Sequence, residues 1–136
     1  MKKGFTLVEL LATIAILAVI MLISVGSFTA ISAGIKKNLL ETKIKSIEDS
    51  AVLYGQEHQE ELTDKDCTID GVSYSFCKKI TVAVLLEKGF LKTEEKDGIM
   101  LNNVTQVNMA DDLCTIYKKN NRIYAIMTDI KSNRGK

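Results

Sequence analysis

The chain has 136 residues, 46% apolar and 26% charged, with 18 basic and 17 acidic side chains and a net charge of +1. That length supports one ordinary domain: roughly 100 residues remain outside the N-terminal apolar run, enough for a small core and too few for a large buried cleft. Near-neutral charge gives no support to a polyanion-binding surface, so nothing in the bulk charge implies nucleic acid, which stays an open partner.

The average hides a division. From Leu10 to Ile35 no side chain is charged, and nearly all the charge follows Lys36. The apolar segment from Phe5 to Val25, about 21 residues, matches the roughly 20 that span a hydrocarbon core as a helix. Lys2 and Lys3 precede it. Basic residues stay on the cytoplasmic side, so the chain is expected to run outward, with the soluble part outside the cytoplasm. Ser24 to Gly34 is rich in small residues and would offer a secretory signal its cleavage site, so cleavage there stands beside a plain signal anchor. Neither reading explains Glu9. An ionised carboxylate inside an apolar run is costly and ordinarily has a partner or a pathway to serve.

The stretch Lys3, Gly4, Phe5, Thr6, Leu7, Val8 and Glu9, continued by Leu10 and Leu11, resembles the class III signal of type IV filament subunits, meaning type IV pilins and the pseudopilins of type II secretion systems. The resemblance is close over the N-terminal helix and extends to the remainder only in general plan. It implies that residues 1–4 are a leader, cut after Gly4 by a prepilin peptidase, and that Phe5 becomes an N-methylated terminus through the same peptidase/methyltransferase. It further implies that Glu9 of one subunit pairs with the Phe5 ammonium of another when the helices bundle. A buried charge left unpaired costs several kcal/mol, so such pairing penalises any axial register that separates the two, and Glu9 acts as a register key. The alternative is that Glu9 lies at the headgroup level and snorkels. The partners implied are further copies of the chain in a filament, the processing enzyme, an inner-membrane platform protein with its assembly ATPase, and membrane lipid before assembly. No cofactor is implied.

Leu7, Leu10, Leu11, Ile14, Leu17, Ala18, Met21, Leu22 and Val25 fall on most faces of the first helix, as suits lipid and then other helices. Many members of the resembled family carry a proline near its end, where the helix bends or melts, and this chain has none. Gly26 and Gly34 are candidates for that flexibility, because Gly weakens a helix by about 1 kcal/mol relative to Ala. Equally, small residues there permit close helix packing. Further on, Ile35, Leu39, Leu40, Ile44, Ile47, Ala51 and Tyr54 recur at spacings of three and four, an amphipathic continuation without a strong breaker until Gly55. His58, the only histidine, sits among Gln and Glu and reads as a solvated surface residue.

In the head, Asp64 to Ser75 is expected as a loop, with Asp70-Gly71 as a tight turn between short strands. Thr81 to Glu87 predicts a short helix with Val82, Leu85 and Leu86 inward, stopped by Gly89. Leu86 to Leu91 also resembles, more weakly, a segment of Gram-positive pilin heads. Ile99 to Val107 is expected to add a strand, and the runs from Cys114 and from Arg122 read as an antiparallel hairpin turning at Lys119-Asn120-Asn121.

Outside the cytoplasm disulfides are allowed, and Cys67 with Cys77 would close a short loop around the Asp70-Gly71 turn, at about 2 to 3 kcal/mol. That leaves Cys114 a buried free thiol, with pairing of Cys114 to Cys67 or Cys77 as the alternative. The spacings fit no zinc site. Some pseudopilins bind calcium, but Asp97, Asp111 and Asp112 lack the oxygen-rich loop that calcium wants. No enzyme constellation is present.

The expected fold class is α+β: a long N-terminal α-helix, membrane-spanning in its first half and amphipathic in its second, packed on a small antiparallel β-sheet head. The expected divisions are leader 1–4, transmembrane and filament-core helix 5–34, amphipathic helix 35–60 and head 61–136. The function implied by the resemblance is a structural, non-enzymatic filament subunit, membrane-anchored and then part of an extracellular or cell-surface fibre. Pilin, secretion pseudopilin and DNA-uptake pilin share that N-terminal plan. The competing class is a single-pass membrane-anchored binding or sensor domain that never polymerises.

Overall fold

A computed structural model describes residues 4–65, 67–93, 95 and 98–133. Lys2, Lys3 and Asp97 therefore lie outside the described residues. The long helix α1 runs from Leu7 to Glu57, 51 residues. Two compact units divide the chain, one through Lys36 and one from Lys37 onward. The first unit has no core of its own: every large apolar side chain from Phe5 to Ile31 is more than half exposed.

The second unit contains the rest of α1 and the head. Strands β1 (Cys67–Ile69) and β2 (Val72–Tyr74) form a hairpin, and β3 (Cys77–Thr81), β4 (Leu113–Lys119) and β5 (Arg122–Asp129) form a three-stranded antiparallel sheet in the order β3-β4-β5. The short helix α2 (Val82–Glu87) follows β3 directly. Both hairpins turn on residues with positive φ, Asp70 (50°) with Gly71 (81°) and Asn120 (48°) with Asn121 (62°). Residue pairs in that conformation give the turn twist that matches the twist of the flanking strands. Gly89, at φ 80°, ends α2 in the left-handed conformation that favours glycine.

The core forms where Leu40, Ile47, Ala51 and Tyr54 of α1 meet Ile80, Cys114 and Ile116 of the sheet, closed off by Leu62, Val82, Leu85, Leu91, Met100 and Met109. The predicted stripe on α1 is only partly used. Leu39 and Ile35 are half exposed, whereas Ser50 and Gly55 are buried. Gly55, expected as a breaker, lies inside the helix, and a Cβ there would come 2.6 Å from Ile116 Cγ2 and 2.9 Å from Ile123 Cγ2. Its missing side chain is what lets the helix backbone approach the sheet. Glu48 reaches from α1 to accept a hydrogen bond from the Met127 amide at 2.9 Å, beside the irregularity in register at Leu113/Cys114.

Besides Gly55, two further expectations are overturned. The segment Ile99 to Val107 is not a strand; it makes one isolated bridge, Leu101 with Asn108. Asn102 prevents more, because its Oδ1 accepts the amides of Val104 (2.9 Å) and Thr105 (3.1 Å), folding the chain into turns. Asn102 Nδ2 donates to Ser132 Oγ and Asn133 Oδ1, while the buried Asp112 carboxylate accepts from the Ser132 amide and hydroxyl at 2.8 and 2.6 Å. The pair Asp111-Asp112 is thus split: Asp111 is exposed, and Asp112 holds the C-terminal turn. The second correction is His58, which is half-buried rather than solvated, with its ring stacked on Tyr54 at 4.4 Å and edge-on to Phe90 at 5.9 Å.

Beside that aromatic group, Glu61 accepts a hydrogen bond from the Tyr54 hydroxyl at 2.8 Å and pairs with the Lys78 ammonium. The Lys78 hydrogen bond first, and that of Tyr54 second, draw the Glu61 carboxyl down from 4.5 to about 2, and the same contact raises Lys78. Cys114 is a buried free thiol pushed up to about 12, by burial first and by the charge of Glu48 second.

Two outcomes are expected for the full chain in detergent micelles. Gly55→Ala should lower the urea midpoint, because overpacking against two stiff β-branched side chains costs about 1–3 kcal/mol and outweighs the roughly 1 kcal/mol gained in helix propensity. A rise in midpoint would contradict the close approach. The folded pKa of Glu61 lies below its unfolded value, so its contribution is complete above pH 4.5 and is lost as pH falls through about 2. Glu61→Gln should unfold more easily than the parent at neutral pH, and the two curves should converge toward about pH 2. Parallel curves over that range would contradict it.

Candidate functional site

The candidate site is the N-terminal turn of α1. Helices leave their first amides without intrahelical partners. Here Thr6 stands immediately before the first helical residue, Leu7. The Thr6 amide donates to Glu9 Oε2 at 2.9 Å, and the Glu9 amide donates to Thr6 Oγ1 at 3.3 Å. This reciprocal pair is a capping box, in which two otherwise unsatisfied donors are met by the side chains of a Thr and of a Glu three residues on. The Glu9 carboxylate is also placed at the end of the helix dipole that favours negative charge. Within a single chain, therefore, the partner of Glu9 is Thr6, and the spacing Thr-x-x-Glu is the sequence signature of that role.

Upstream of the box, Gly4, Phe5 and Thr6 are non-helical, and Phe5 is 86% exposed. Gly4 has an ordinary φ, and a Cβ built on it meets nothing within 4 Å. Among the described residues, neither a close approach nor a positive φ requires glycine at this position. Gly4 and Phe5 thus lie exposed immediately before the turn that carries Glu9.

The rest of the first unit suits an apolar surrounding. By length and composition α1 holds a stretch able to cross a membrane, and none of it is buried within the chain. Three of its hydroxyls are satisfied by their own helix: Thr13 donates to the Leu10 carbonyl at 2.8 Å, Ser24 to Ile20 at 2.7 Å and Thr29 to Gly26 at 3.0 Å. Such back-bonding removes the penalty of a bare polar group in lipid. Gly26 and Gly34 both lie within unbroken helix, each with open space around the missing Cβ.

In the head, Cys67 and Cys77 form a disulfide with Cα atoms 6.3 Å apart, joining the β1–β2 hairpin to β3. Among the described residues, no group of three His, Cys, Asp or Glu side chains converges as a metal-ligand set.

Residues 1–25 match the family model described as the prokaryotic N-terminal methylation motif. Neither curated proteins nor solved structures give a match to the chain. The matched residues include the Gly4-Phe5 junction, the Thr6–Glu9 box and the start of the apolar helix. The chain thus carries at its N-terminus the methylation motif typical of type IV pilin-like precursors.

Proposed function

We propose that the chain is the precursor of a structural subunit of a type IV pilus-like filament. A prepilin peptidase cuts after Gly4, the new Phe5 terminus is N-methylated, and the subunit waits in the membrane with its N-terminus on the cytoplasmic side. A platform protein and an assembly ATPase then draw it into a fibre. The observation that carries this reading is the methylation motif over residues 1–25. Three features of the chain support it. A glycine that the fold does not need points to a requirement set by another molecule, here the processing enzyme. Large apolar side chains exposed on every face of a helix need lipid first and other helices later. And the capping box holds the Glu9 carboxylate on the amide of the residue next to Phe5, at the end of the chain where cleavage would create a positive charge.

Glu9 then has two successive partners, the Thr6 amide in the lone subunit and a Phe5 ammonium in the bundle. The ion pair is the stronger of the two, because both bonds involve the ionised carboxylate but the ammonium adds a full unit charge where the Thr6 amide offers only a dipole. Residues 5–34 form the filament core, Gly26 and Gly34 give that segment its flexibility, and 61–136 form the outward head. The role is structural rather than catalytic.

Glu9→Ala should leave membrane insertion and cleavage intact and abolish filaments seen by electron microscopy; normal filaments from that variant would sink the register argument. Gly4→Leu should leave the precursor at its full mass in the membrane, because the cleavage site is lost.

A further inference from the structure

The head carries a cleft that the filament reading does not use. It has a volume of about 510 Å³ and is lined by Gln59, Leu62, Phe76, Lys118, Asn120 and Asn121. That volume falls within the roughly 300–1,000 Å³ of small-ligand sites. Its parts come from three places: the turn after α1, the loop before β3, and the tip of the β4–β5 hairpin. The Lys118 amide donates to the Phe76 carbonyl at 2.9 Å, which fixes the aromatic loop against β4. The positive φ of Asn120 and Asn121 follows from the two-residue turn and sets both amide side chains on the hairpin tip. Leu62 is buried and supplies an apolar floor, while Phe76 is 60% exposed. Among the described residues, the side chains of Lys118, Asn120 and Asn121 make no hydrogen bond, so their donors and acceptors are free for a ligand.

The chemistry of the lining narrows the ligand. An aromatic ring beside an aliphatic floor suits the C–H face of a pyranose. Primary amides both donate and accept, as neighbouring sugar hydroxyls do. Lys118 is the single charge in the lining, a point charge suited to one carboxylate; a phosphate group more commonly draws several cationic or bidentate donors. The geometry points to the terminal residue of an acidic saccharide, a pyranose bearing a carboxylate, as the ligand of this cleft. The carboxylate meets Lys118, the ring stacks on Phe76, and the hydroxyls meet Gln59, Asn120 and Asn121. The assignment does not depend on whether the chain polymerises.

Isotope-labelled full-length chain in detergent micelles is titrated with sodium glucuronate, glucose and sodium acetate, each to about 50 mM, and followed by NMR for a dissociation constant of about 1 mM. Glucuronate should shift the side-chain amide signals of Gln59, Asn120 and Asn121 and the backbone signal of Lys118. Phe76→Leu, which keeps an apolar side chain but removes the ring, and Lys118→Gln should each weaken binding about tenfold or more, about 1.4 kcal/mol. Both positions lie outside the core cluster, so signals from Ile80, Cys114 and Ile116 should stay in place. Absence of shifts overturns the proposal, as does an unchanged affinity in Phe76→Leu. Acetate acting as well as glucuronate would reduce the site to a bare ion contact and overturn the saccharide, and glucose acting as well would overturn the carboxylate.

Discussion

The Glu9 carboxylate stands inside the first turn of a helix whose large apolar side chains, as far as Ile31, are all more than half exposed. A charge in that setting is tolerated only if something neutralises or hydrogen-bonds it. Thr6 meets the need in the lone chain by closing the capping box. The arrangement satisfies a helix end and places a carboxylate at the N-terminus in one stroke, through the Thr6–Glu9 pair itself. A positive group arising at Phe5 would offer that carboxylate a charged partner. The apolar exposure around it would make the partner's position matter, because a mismatched pair leaves charge against apolar surface.

The head answers a different constraint. A sheet of three strands and a hairpin of two have little area for a core, so the C-terminal part of α1 has to come close. Gly55 permits that approach where any Cβ would strike Ile116 and Ile123. The remaining stability is spread over local devices. A disulfide ties the β1–β2 hairpin to β3, Glu48 occupies a backbone donor on β5, and Asp112 with Asn102 anchors the C-terminal turn. The two polar anchors are buried and their donors and acceptors are met, the condition under which buried polar networks rigidify a small domain.

How much of this was legible in the sequence depends on whether the signal is local. The 51-residue helix was legible from its unbroken apolar run and the stripe that follows, and both hairpin turns were legible from Asp70-Gly71 and Asn120-Asn121, since these residues tolerate positive φ. Strand β3 was missed: Lys78 and Lys79 interrupt the apolar alternation, and only the pairing with β4 makes Cys-Lys-Lys-Ile-Thr a strand. Ile99 to Val107 was misjudged for the converse reason, because one side chain, Asn102, turns the backbone through bonds to the amides of Val104 and Thr105, and its other end is held by residues some 30 positions away. His58 was misread for the same cause, as its aromatic neighbour Phe90 is distant in sequence. At the N-terminus the Thr-x-x-Glu spacing carries the capping box, whereas the cost of a charge in lipid points equally to a partner outside the chain.

The roles proposed for Phe5 and Glu9 both require processing at the Gly4-Phe5 junction. The most direct measurement is the intact mass and N-terminal sequence of the protein isolated from its native membrane. Loss of residues 1–4 and a methyl group on the Phe5 nitrogen are expected. An intact N-terminus, or a cut between Ala30 and Gly34, would contradict it.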